Sequence, residues 1–137
     1  VAWAKENAET NHATGIRWII DDCIKFIERE IRRGNTYDAI IMDPPSYGRG
    51  PSGEIWKLEE NFYDFVALSE KVLSDSPLFV IINSYTKGLA TGVLKYVADD
   101  IFTQKYGGSS EAKELGLFVK EANSYLPAGA AVRWRNE

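Results

Sequence analysis

The chain has 137 residues, enough for one domain with a core and too few for two. A net charge of −4 argues against a nucleic-acid surface carried by this segment unaided, and does not exclude RNA as a substrate, because a separate domain could hold it. The single cysteine, Cys23, excludes an internal disulfide and fits a reducing, cytoplasmic compartment, and no apolar run nears the roughly 20 residues of a membrane span.

In chain order, Val1 to Asn11 reads as the tail of an amphipathic helix that ends near His12–Gly15. Arg17 to Ile20 reads as a short strand stopped by Asp21-Asp22. Asp22 then suits the N-cap of a helix from Cys23 to Arg33, with Gly34 as its C-terminal stop. Ala39 to Met42 is a short apolar run, which predicts a buried, parallel strand. It ends at Asp43-Pro44-Pro45, because neither proline can donate to a sheet ladder. A glycine-rich loop follows, from Gly48 to Gly53, and includes Pro51 and Ser52.

Leu58, Phe62, Phe65, Val66, Ser69, Val72 and Leu73 mark one face of a long helix. Pro77 precedes a strong strand, Leu78 to Ile82, ending in Asn83-Ser84-Tyr85-Thr86. Leu89, Val93, Leu94, Val97, Ile101 and Phe102 define the next helix, and Gly107 to Ser110 a loop. Leu115 to Val119 and Ala130 to Trp134 read as two closing strands joined by a turn around Leu126-Pro127-Ala128. Strands alternating with helices imply an α/β, Rossmann-like domain with a parallel sheet and an antiparallel end, spanning residues 1–137. Open sheets of this kind bind ligands at the carboxyl ends of their strands.

Four stretches in order now carry a resemblance: WAKENAETN (3–11), IIDDC (19–23), DPPSY (43–47) and INSYTKGL (82–89). They resemble the class I S-adenosylmethionine (SAM) methyltransferases, with DPPSY in the place of motif IV. The longer stretch DPPSYGRGPSGEIWKLEE is similar to the family that includes 23S ribosomal RNA methyltransferases. The family's sheet runs third, second, first, fourth, fifth, seventh, sixth strand. Its SAM-binding glycine loop and the acidic residue for the ribose both fall before Val1. The resemblance therefore implies an incomplete fold, the C-terminal part of a catalytic domain. The strand at 17–20 would lack a neighbour, the strand ending at Asp43 would keep a bare edge, and the 137 residues alone would be inactive.

The resemblance implies SAM as cofactor, RNA as substrate and no metal. Methyl transfer from a sulfonium is an in-line displacement, so the protein's part is to place the acceptor and set its charge. Asp43 and an exposed Pro44 carbonyl would accept hydrogen bonds from an exocyclic amino group, with Pro45 fixing the loop. Tyr47 would stack on a flipped base. Ser46, Asn83 and Tyr85 would line the acceptor pocket, and Arg49 and Lys57 would touch RNA phosphates from a mobile lid. At the cofactor, Asp22 would accept from the adenine amino group beside the Cys23 backbone N–H, with Asp43 close by. A plain N-cap is the competing role for Asp22.

Cys23 is expected as a buried, inert thiol on an apolar helix face. The motif stretches DPPSY and NSYT hold no cysteine, which disfavours a covalent cytosine mechanism and favours direct transfer. His12 has no partner at metal or triad spacing. Two other readings remain: a methyltransferase for a non-RNA acceptor, and a non-catalytic scaffold that keeps the fold.

Overall fold

A computed structural model describes residues 1–50 and 53–137. The first helix, α1, spans Ala2–Thr10 and buries none of its residues. The next, α2, spans Cys23–Arg33. Asp22 Oδ1 caps it by accepting the Lys25 N–H at 3.1 Å, and Gly34 ends it in the left-handed conformation. Between them the strand expected at 17–20 does not form. A strand exists through its neighbour, and none pairs with these residues among those described, where Ile20 is 84% exposed.

The central elements follow: β1 (Ala39–Met42), β2 (Tyr47–Arg49), β3 (Ile55–Lys57), α3 (Leu58–Glu70) and β4 (Phe79–Ser84). Helix α4 (Thr91–Ala98) runs through a π turn, Asp99–Thr103, into α5 (Gln104–Tyr106). The chain closes with β5 (Ser109–Val119) and β6 (Ser124–Arg135). The main sheet has the order β1-β4-β6-β5. Its β1–β4 pair is parallel, and its β4–β6 and β6–β5 pairs are antiparallel. That is the fourth, fifth, seventh, sixth order expected for the second half of the methyltransferase sheet.

One face of this sheet makes the core. Met42, Val80, Ile82, Val132 and Trp134 meet Leu58, Phe62 and Val66 of α3 and Leu94, Val97 and Phe102 beyond it. Trp134 is fully buried between the rings of Phe102 and Tyr106, and its indole N–H donates to the Gly107 carbonyl at 3.0 Å.

Several expectations need correction. β1 is parallel but only Met42 is buried, because β1 lies at the sheet edge and leaves Ile41 67% exposed. β4 starts one residue later than expected and includes Asn83 and Ser84, which pair with Ala131 and Ala130. Val72 and Leu73 are buried but lie beyond α3, where Tyr37 bridges to Leu73. Ser109 and Ser110 belong to β5 and are no loop. The closing turn falls at Lys120–Asn123, where Asn123 takes φ 45°. Leu126 and Pro127, expected in a turn, sit within β6 opposite Leu117 and Gly116. Asn123 tolerates the left-handed region better than the residues of the expected turn.

Glu30 ties α2 to the start of β1. It is 1% exposed and accepts from Arg33, Asn35 and the Tyr37 hydroxyl, the last at 2.5 Å. These bonds, Tyr37's foremost, hold its carboxyl down to about 2. The same contact raises the Tyr37 hydroxyl above its usual range. The effect on the site is to fix where the N-terminus of α2 stands relative to the strand that ends at Asp43.

Candidate functional site

β1 ends at Asp43, and the two prolines carry the chain out of the sheet into a hairpin. Of the glycine-rich stretch expected to form a lid, Gly48 and Arg49 belong to strand β2, which pairs with β3 beyond it, Tyr47 with Lys57, Gly48 with Trp56 and Arg49 with Ile55. Pro51 and Ser52, also assigned to that lid, lie outside the described residues. The hairpin holds the Asp-Pro-Pro turn from one side. The Trp56 indole N–H donates to the Pro45 carbonyl at 2.7 Å, and the Leu58 N–H to the Ser46 carbonyl at 3.0 Å. From the other side, Thr86 Oγ1 donates to Ser46 Oγ at 2.8 Å, joining this turn to the loop after β4.

Between the start of α2, the end of β1 and the hairpin lies a cleft of about 750 Å³. Asp22, Cys23, Asp43, Pro44, Pro45 and Arg49 all line it. Residues 21 positions apart in sequence, Asp22 and Asp43, thus face one space. Ile24, Ile41 and Met42 add apolar wall. The capping bond occupies Asp22 Oδ1, and Oδ2 makes no hydrogen bond among the described residues. The Cys23 N–H sits in the first helical turn, where no intrahelical acceptor exists.

The remaining candidates stand differently. Cys23 is exposed rather than buried, because the helix start opens onto the cleft and the apolar face of α2 begins further along, at Ile27. Pro44, expected to show an exposed carbonyl, is a buried residue. Tyr47 is 52% exposed on β2, next to the cleft-lining Gly48, and does not itself line the cleft; its hydroxyl accepts from Arg49 Nε at 3.0 Å. Lys57 is turned to Glu60 at 2.6 Å, which raises its pKa and neutralises it locally. Like Tyr47, Ser46, Lys57, Asn83 and Tyr85 do not line the cleft. Tyr85 packs its ring edge over Gly129, where a Cβ would stand 2.7 Å from it. Trp56 was missed as a site residue; its only sequence signal was its place in the GEIWKLEE stretch after the turn.

The same architecture occurs in solved structures. A SAM-dependent methyltransferase from Agrobacterium tumefaciens superposes with a TM-score of 0.84 at 30% identity, over 99% of this chain and 45% of that one. The fold is that of the class I methyltransferases. SMU.776 complexed with SAH follows with a TM-score of 0.61 at 16% identity, over 97% of this chain and 35% of that one. A precorrin 8W decarboxylase from Methanobacterium thermoautotrophicum shares the fold at a TM-score of 0.55 and 8% identity, over 99% of this chain and 63% of that one. The chain thus spans less than half the length of the first two. No family model and no curated protein sequence matches it. Among the described residues, no helix is long and apolar enough to cross a membrane.

Proposed function

We propose that residues 1–137 form part of the catalytic domain of a cytoplasmic SAM-dependent methyltransferase that modifies RNA, in the manner of the 23S ribosomal RNA enzymes with a DPPSY motif. The observation that carries this reading is that Asp22-Cys23 and Asp43-Pro44-Pro45 line one cleft. The neighbour at 30% identity, itself a SAM-dependent methyltransferase, supports the same chemistry.

The lining fits SAM. Asp22 Oδ2 and the Cys23 N–H offer one acceptor and one donor side by side, which matches an adenine edge, and Ile24 and Ile41 supply an apolar wall for its ring. SAM, when bound, supplies an electrophilic methyl on a sulfonium. At the other end of the cleft Asp43 accepts from the acceptor's amino group and keeps the nitrogen lone pair directed at the methyl. With the methyl supplied by bound SAM, the Asp43 carboxylate would receive the proton that the acceptor nitrogen gives up. Tyr47, exposed beside the cleft-lining Gly48 and bonded to Arg49, would stack on the base. Lys57, paired with Glu60, is the weaker candidate for a phosphate contact. The acceptor class rests on the DPPSY resemblance.

The test is transfer of labelled methyl from SAM to ribosomal RNA by the full-length protein. Asp43→Asn is expected to lower the rate on the order of a hundredfold while SAM still binds. Labelling of protein or small molecules but not RNA would move the acceptor class; no labelling with SAM bound would favour a scaffold.

A further inference from the structure

We propose that Trp56 is a positioning residue that sets the geometry of Asp43 through the Pro45 carbonyl. The inference rests on the methyltransferase reading of the cleft and adds a residue to it. Asp43-Pro44-Pro45 contains two residues with no backbone N–H, so the turn cannot fix itself by donating to the sheet. It is held through its acceptors. The Ser46 carbonyl takes the Leu58 N–H, a backbone bond present with any side chain at 58. The Pro45 carbonyl takes the Trp56 indole N–H at 2.7 Å, a bond made by one side chain.

The indole is itself well placed to act as a prop. Trp56 sits opposite Gly48 in the hairpin, so no side chain from the facing strand intervenes. Its ring meets Phe65 of α3 edge to face, with centroids 5.4 Å apart and planes at 82°. The hydrogen bond therefore links the turn to the helix layer. Stiffness carries the constraint back to Asp43. Both prolines have φ fixed, and the residue before each is confined to extended backbone, so a hold on Pro45 limits the orientation of Asp43 two residues earlier.

The experiment compares Trp56→Phe with the unaltered full-length protein. Phenylalanine keeps an aromatic ring against Phe65 and removes the N–H. Three readouts are taken: hydrogen exchange of the 43–49 segment, calorimetric SAM affinity, and kcat and KM for methyl transfer to ribosomal RNA. The expected result is faster exchange confined to 43–49, unchanged SAM affinity, and a kcat lowered on the order of tenfold or more, since small misplacements near the reacting atoms are costly in rate. Unchanged exchange in 43–49 overturns the proposal. So does a kcat equal to that of the unaltered protein, or a joint loss of SAM affinity and fold, which would mark a merely structural tryptophan. Absence of transfer by the unaltered protein with SAM bound overturns the positioning role. Absence of SAM binding by the unaltered protein instead defeats the methyltransferase reading beneath it.

Discussion

Trp134 and Trp3 are the same side chain in opposite settings. Trp134 is fully buried, flanked by Phe102 and Tyr106, and its N–H is bonded to Gly107. Trp3 is 76% exposed on a helix that buries nothing. The first lies in the region where sheet and helices cover each other; the second lies on a helix none of whose residues is buried. Local propensity is enough to draw α1, but stability comes from a face that another element covers. The same contrast explains why β4, with neighbours on both sides, alternates buried and half-buried residues, while β1 at the edge buries only Met42.

The contrast can be broken or sharpened by substitution. The largest effect is expected from Trp134→Ala, a loss of about 3–5 kcal/mol in denaturant unfolding through the cavity and the orphaned Gly107 carbonyl. Gly129→Ala comes next, at about 1–3 kcal/mol. Gly129 has φ 98°, and a Cβ there would stand 2.5 Å from the Ser84 carbonyl oxygen, so both backbone and neighbour must yield. Asp22→Ala removes the cap of α2 and is expected to cost about 1 kcal/mol. Trp3→Ala is the smallest, within about 0.5 kcal/mol, and a larger loss would show that α1 has a partner after all.

Glu30 adds a pH arm to the same comparison. Its folded carboxyl titrates at about 2 against 4.5 for a free side chain, so the native state favours the charged form. The stability it contributes is complete above pH 4.5 and is lost as the pH falls toward 2. Urea unfolding from pH 6 down to about 2 is expected to show a steeper loss in the unaltered protein than in Glu30→Gln.

Much of this was legible in the residues. Helix α2 has its sequence-read limits because Asp22 and Gly34 are specific capping signals. β1 ends where it was expected, since Pro44 and Pro45 stop a ladder by chemistry alone. Failures came where partners decide. The strand at 17–20 had the right residues and no neighbour, and the apolar pattern of the closing hairpin concealed a turn at Asn123 and a paired Pro127. The Gly48–Gly53 stretch read as a loop because glycine suggests one, yet Gly48 faces Trp56 across a hairpin. At the site, the strand end at Asp43 and the helix cap at Asp22 were legible, while their meeting in one cleft is a matter of tertiary placement. The Trp56 bond to the Pro45 carbonyl was not legible, because a side-chain bond to a carbonyl eleven residues away leaves no trace in periodicity.

The central claim is that the cleft between α2 and β1 binds the adenine end of SAM. It is tested most directly by calorimetric titration of SAM into this chain and into a version extended upstream through a glycine loop. The account predicts binding by the extended form, weakened on the order of tenfold by Asp22→Ala beyond any loss of fold. An extended form that is folded yet takes up no SAM, or that binds equally well without the Asp22 carboxylate, would contradict it.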